Sequence, residues 1–316
     1  MIYPWQTTQW QIVSQQMKAG RLPHAMLLAG VSGMGKFQFA KQLAVAVLCT
    51  NNQDGACGQC HSCQLFAADS HPDHTLIAPE EAGKQIKIEQ VRGLKNKQQL
   101  TPTVSKWKTV IINPADSMNI SSNNSLLKLL EEPQDNTLLI LISAQPEKLP
   151  ITIVSRCQQL MFNLTDDKTA HDFIQSSGIN ADKDTIERLL KLAQHAPLKM
   201  IELIESDAIQ QVQAIEDDFQ LILKAKANPV QMAKNWQAYD LQLCFSHLQA
   251  LVQQRLVALN DKPNQQHAAH YWYIYDCIVK SIKLISTSNN INKILLIEQF
   301  IVSVMDKNWN RQTFTH

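Results

Sequence analysis

Neither sign of charge is in excess in this chain of 316 residues, where 29 lysines and arginines face 28 aspartates and glutamates and the net charge is +1. No global field draws it to nucleic acid or to an acidic membrane surface, so any such binding has to be local or shared with partners. The sequence also lacks an apolar run of the ~18 residues that a membrane span needs. Its opening stretch MIYPWQTTQWQ has no basic flank leading into an apolar segment. A cytoplasmic protein with no membrane partner is the expectation. Internal repeats and low-complexity tracts are missing too, and no glycine occurs from residue 207 onward. Cysteine is present, but its count of seven is odd and nothing points to secretion, which excludes a disulfide framework.

What is present suits two or three domains, each long enough to bury its own core. Trp10, Val13 and Met17 recur at helical spacing and Gly20 supplies a stop, so one amphipathic helix opens the chain. Five short apolar runs follow: AMLLA at 25–29, TLIA at 75–78, TVII at 109–112, LLILIS at 138–143 and QLMF at 159–162. Runs this short and this apolar predict strands buried on both faces. Between the third and fourth lies SSNNSLLKLLEEP, in which Ser121 or Ser122 caps a helix, Leu126, Leu127 and Leu130 face the core and Pro133 ends the element. Strands alternating with helices predict a parallel α/β sheet.

Past Asn163 the pattern changes to short helices, with a turn at Gly178-Ile179-Asn180 and a break at Pro197. From about residue 207 helical periodicity continues to the end, interrupted by a turn at Asn228-Pro229. The division expected is therefore 1–163 as α/β domain, 164–206 as a small helical appendage and 207–316 as an all-α domain.

The first strand runs into Gly30-Val31-Ser32-Gly33-Met34-Gly35-Lys36-Phe37, which satisfies G-x-x-x-x-G-K and fails only at the final hydroxyl residue. Such a loop converges backbone N–H groups of Gly30, Gly33 and Gly35 on phosphate, adds a helix N-terminus and reaches outward with Lys36. Phe37 cannot ligate Mg²⁺, the ion that neutralises charge in phosphoryl transfer. After the strand KTVII, where a nucleotide hydrolase needs two acidic residues, the chain offers Asn113-Pro114, with Asp116 a turn later. Two catalytic positions are empty, so neither ATP nor Mg²⁺ is expected to be turned over at this loop.

Cys49, Cys57, Cys60 and Cys63 supply four thiolates within TNNQDGACGQCHSC and its preceding residue, and Gly58 eases the first C-x-x-C turn. Zn²⁺ takes four soft ligands in a tetrahedron, and with no position left for water the site is structural. Free cysteines or a redox pair are the other reading of the same spacing. His61 sits inside a knuckle and is left out of the ligand set.

HPDHTLIAPE, PADSMNISSNNSLLKLLEEP and LPITIVSRC, in that order and with the cysteine loop, resemble the delta-prime branch of the AAA+ clamp-loader family of bacterial DNA polymerase III. The resemblance covers Tyr3 to Phe162 well and the remainder by helical character alone. It implies a zinc-bearing AAA+ nucleotide-binding-like domain, a helical lid and a helical collar through which subunits form an open ring. It implies as partners the gamma/tau motor subunits and the delta subunit, with the sliding clamp and primer-template DNA reached through the complex. Ser155-Arg156-Cys157 matches the family's Ser-Arg-Cys motif, whose arginine enters the ATP site of a neighbouring motor subunit; Cys157 is expected to be buried. Ser143 stands where a motor subunit senses the γ-phosphate, and Leu198, beside Lys199, stands where it shows a second sensing arginine. An active AAA+ motor subunit, with Asp116 holding the metal, and a zinc-ribbon nucleic-acid binder using the basic run GLKNKQQLTPTVSKWK at 93–108 are the other functional readings.

Overall fold

Each inner strand of the sheet is buried along its whole length and mostly apolar because both faces are covered, and alternate residues serve opposite sides. In the computed structural model, which describes residues 2–51, 55–81, 83–99, 101–177, 183–206, 208–260, 265–287 and 291–306, α1 (Thr7–Lys18) precedes β1 (Ala25–Ala29) and α2 (Lys36–Leu48) follows it. Next come α3 (His61–Ala67), β2 (His74–Ile77), α4 (Ile88–Gln99), β3 (Lys108–Ile112), α5 (Ile120–Glu131), β4 (Thr137–Ser143), α6 (Ile151–Val154) and β5 (Gln158–Met161). All pairings are parallel, and the order is β2-β3-β4-β1-β5. Leu27, Val110, Ile112, Leu139 and Leu141 turn to one face, packed by Val91 and Leu94 of α4 and Leu126, Leu129 and Leu130 of α5. Met26, Leu28, Ile111, Ile140 and Ile142 turn to the other, packed by Phe39, Leu43 and Val47 of α2 and Val13 of α1. This is the parallel α/β sheet that the alternation of apolar runs and helices predicts.

Two local expectations need correction. The cap of α5 is Asn119, not Ser121 or Ser122: its side chain accepts from the Ser122 amide at 2.8 Å, two residues earlier than the apolar periodicity suggests. Leu129 is buried where Leu127 is only half-buried. The helix is thus turned slightly from the predicted face.

After β5 the chain continues as α7 (Asp167–Ser176), α8 (Lys183–Leu192) and α9 (Pro197–Glu205), then α10 (Ala208–Leu223), α11 (Pro229–Trp236), α12 (Leu241–Asn260), α13 (Gln265–Thr287) and α14 (Lys293–Met305). Pro197 and Pro229 each open a helix, where a missing N–H costs nothing, and Asn228 caps α11 through the Gln231 amide. The expected turn at 178–180 lies outside the described residues. Two compact units result, Met1–Met200 and Ile201–His316, with α9 crossing from one to the other. The second closes around Trp236, Phe245 and Phe300, and the Trp236 indole donates to Asp218 at 2.8 Å, which satisfies its one polar atom. No helix among the described residues is long and apolar enough to cross a membrane.

Asp73, buried ahead of β2, fixes the loop that enters β3 by accepting from the backbone N–H groups of Thr103, Val104 and Ser105 at 2.7, 2.8 and 2.9 Å. Burial alone would raise its pKa, but these donors outweigh it and hold the carboxyl below its ordinary value of 3.8. Its stabilising contribution is therefore complete above that value and is lost as pH falls through the lower folded pKa. Asp73→Asn is expected to cost about 2–4 kcal/mol at neutral pH, since one charged acceptor serves three donors. Urea unfolding should show this difference shrinking below pH 3.8.

Candidate functional site

The glycine loop leaves the C-terminal end of β1 with Gly33 at φ 81° and Gly35 at φ 76°, backbone that side chains rarely adopt. Gly35 then forms the N-cap of α2. Lys36 is only 6% exposed, and its ammonium donates to the carbonyls of Gly30 at 2.5 Å and Val31 at 2.7 Å. Burial lowers its pKa to about 8, against a smaller opposing effect of Asp116. Phe37 packs with the α2 face of the core and lies under the Lys41 ammonium. It serves as packing and offers no oxygen to a metal.

Other parts of the chain hold this loop in ways the sequence does not announce. The Trp5 indole and the Gln6 amide both donate to the Met34 carbonyl, at 3.1 and 2.8 Å, and Gln6 reaches Gly35 as well. Tyr3 stacks on Trp5, and both rings meet Phe173 of α7 edge-on. From α9 the Leu198 amide donates to the Gly33 carbonyl at 3.1 Å, and a Cβ on Gly33 would lie 2.5 Å from the Cβ of Lys199. Lys199, for which the sequence suggests no role, is thus the backbone neighbour that requires glycine at this position.

At the ends of β3 and β4, Asn113 and Pro114 present no carboxylate. Asp116, in the 3-10 turn Ala115–Ser117, accepts from the Ser143 hydroxyl at 2.5 Å and from the Ala144 amide at 3.2 Å, both on the same oxygen. Ser143 is completely buried in this contact. The acid whose charge acts on Lys36 is thereby tied to the end of β4.

The four cysteine sulfurs all lie within 4.8 Å of one another, with Cys49 and Cys60 at 3.9 Å and Cys57 and Cys63 at 4.0 Å. Tetrahedral zinc with Zn–S bonds of ~2.3 Å separates its sulfurs by about 3.8 Å, so the donor set fits that ion. Backbone amides of Cys57, Cys60 and Cys63 point at the sulfurs of Cys49, Cys57 and Cys60 at 3.3–3.4 Å, as suits acceptors carrying negative charge. Without a cation, burial pushes the Cys63 thiol up to about 12 and raises that of Cys49, a penalty on the thiolate form that a bound cation would relieve. Cys49 ends α2 and Cys60 caps α3, while Ser62 donates to the Leu48 carbonyl at 2.7 Å and pairs with buried His71 at 2.8 Å. Because His71 Nδ1 accepts from the Asp73 amide at 3.1 Å, its Nε2 carries the proton and donates to Ser62. The cysteine loop is therefore anchored to the start of β2.

Ser155-Arg156-Cys157 lies between α6 and β5. Cys157 is buried in the core beneath α5 and α6, and that burial raises its thiol to about 11, which makes it an inert packing residue. Arg156 is half-exposed, with Nη2 3.0 Å from the Glu131 carboxylate at the end of α5 and Nη1 donating to the Thr152 carbonyl at 3.1 Å. The Glu131 contact carries no signal in the sequence. Of the basic run at 93–108, the backbone is helix α4 to Gln99 and loop from 101, while Leu100 and the side chains of 95–99 lie outside the described residues.

The family model described as "DNA polymerase III, delta subunit" matches residues 5–166. The DNA polymerase III subunit delta' of Pseudomonas aeruginosa is 32% identical over 95% of this chain and 96% of its own length. The subunit delta' of Escherichia coli is 29% identical over 65% of this chain and 61% of its own. A DNA polymerase III subunit gamma/tau, from Mycoplasma pneumoniae, is 33% identical over 58% of this chain and 27% of its own.

Proposed function

Because this chain belongs to the DNA polymerase III delta' family and is a clamp-loader subunit, we propose that it supplies Arg156 to the ATP site of a neighbouring gamma/tau subunit while hydrolysing no ATP itself. The observation that carries this reading is topological. Phe162 pairs beside Gly30 across β1 and β5, and Arg156 enters six residues earlier, at the opposite, N-terminal end of the parallel strands. At ~3.3 Å per residue that is on the order of 15–20 Å, beyond the reach of one side chain to its own glycine loop. A guanidinium so placed has a phosphate partner only on another subunit.

The state of the local loop supports the second half of the proposal. Phe37 replaces the metal-binding hydroxyl and packs with the core, Asn113 and Pro114 replace the acids, and Asp116 is engaged by Ser143. A motor subunit acting through Lys36 would need that same Asp116 for its metal. Residues 164–206 then serve as the lid and 207–316 as the collar, and contact with the sliding clamp and primed DNA comes through the assembled ring. Zinc at Cys49, Cys57, Cys60 and Cys63 is structural in this scheme: with four thiolates around it the ion keeps no position for water or substrate.

Assembly is the direct test. Mixed with the gamma/tau and delta subunits, the chain is expected to co-elute in a stoichiometric complex on size exclusion at micromolar concentration. Separate elution would remove the reading.

A further inference from the structure

We infer that Glu131 is a latch for Arg156: it holds the guanidinium back on its own subunit, and the pair has to open before Arg156 engages a neighbour's phosphates. The inference rests on the trans-acting role proposed above. Glu131 is the last residue of α5 and Arg156 stands two residues beyond α6. These two helices pack through Leu126, Leu130 and Ile153, which sets the spacing of their ends. Arg156 is consequently drawn in from two directions, by the carboxylate of Glu131 at 3.0 Å and by the Thr152 carbonyl at 3.1 Å. Each terminal nitrogen already has an acceptor on its own chain.

The strength of the latch suits release. Side-chain exposure is 38% for Arg156 and 52% for Glu131, so water screens the pair and its contribution is small. A nucleotide phosphate offers the same guanidinium a bidentate, more highly charged acceptor, and it wins that competition when a neighbour's site is loaded. An empty site offers nothing to win with. Glu131 must also be left behind when the arginine extends, because a carboxylate carried towards a phosphate would repel it. Thr152 contributes a neutral carbonyl and sets direction without this charge discrimination. Glu131 is thus a positioning residue, acting only through Arg156.

The test is single-turnover hydrolysis at subsaturating ATP in the reconstituted complex with gamma/tau and delta, comparing Glu131→Ala, Arg156→Ala and the double variant. Glu131→Ala is expected to raise the rate about two- to fivefold, the worth of an exposed ion pair. In the Arg156→Ala background the same substitution is expected to change nothing, an epistasis that a merely structural role would not produce. The latch is overturned if Glu131→Ala slows the reaction, or if its effect is the same with and without Arg156. If Arg156→Ala itself leaves the rate at the wild-type value, the trans-arginine reading fails and the latch with it, a pattern distinct from either of the former.

Discussion

Replacing Arg156 with alanine is expected to slow ATP hydrolysis at the one site this subunit faces by about 10³–10⁵, the range that an arginine supplied from outside contributes in related phosphoryl transfer. The guanidinium spreads its charge over a planar fork and meets two phosphate oxygens at once, so it stabilises charge developing on the transferring group more than charge already present. Arg156→Lys keeps the charge and loses the fork, and an intermediate rate is expected. Folding should be nearly unaffected, because the arginine is half-exposed and its pairing with Glu131 is worth at most about 1 kcal/mol. Bulk turnover is an insensitive measure if, as the resemblance implies, other sites of a ring continue. Single-turnover hydrolysis and clamp loading report the facing site, and wild-type values in both would remove Arg156 from the chemistry.

The parts of this fold legible in the sequence are those whose cause is local. Five apolar runs announced five parallel strands, but burial on both faces holds only for the inner strands β1, β3 and β4; β2 and β5 are the edges of the sheet, and their Leu76 and Met161 are half-exposed. The cysteine centre was legible because two overlapping C-x-x-C turns bring three sulfurs together and Cys49 stands close enough before them to supply the fourth. Helix α5 was legible in extent but not in its cap, since Asn119, Ser121 and Ser122 compete within three residues and only the entering angle of the chain decides among them. Contacts between distant segments carried no signal. The clasp of Trp5 and Gln6 on the Met34 carbonyl, the approach of Lys199 to Gly33 and the pairing of Asp116 with Ser143 all depend on how helices and strand ends are brought together.

These same long-range contacts explain why a glycine loop with an intact lysine need not be a nucleotide site. Gly33 and Gly35 are demanded by Lys199 on one side and by Tyr3 and Gln6 on the other, so steric need alone retains both glycines. Lys36 spends its ammonium on the carbonyls of Gly30 and Val31, closing the loop on itself. The motif is thus held in place as a joint between the first strand, the N-terminal segment and α9. On the function proposed above, the chemistry falls to Arg156, at the opposite end of the strands.

Removing the metal is expected to have the second largest effect, and on structure first. Purified protein should carry one zinc per chain, and Cys63→Ser should retain less than about a tenth of it, because a hydroxyl does not replace a thiolate in a four-sulfur set. Structural zinc is worth ~10 kcal/mol or more to a peptide that it folds outright. Here the cost to the domain is smaller, because the strands and α2 have a core of their own. What depends on the ion is the placing of the four cysteines, with α3 and its Ser62–His71 tie to β2. A loss on the order of 3 kcal/mol is expected for the first unit, lowering its thermal midpoint by about 6–12 °C. Amide exchange should rise in α3 and in the turn at Ser70–His74, while β1, β3 and β4 stay protected. A Cys63→Ser variant with wild-type zinc content and an unchanged midpoint would show that the four sulfurs do not act as one site.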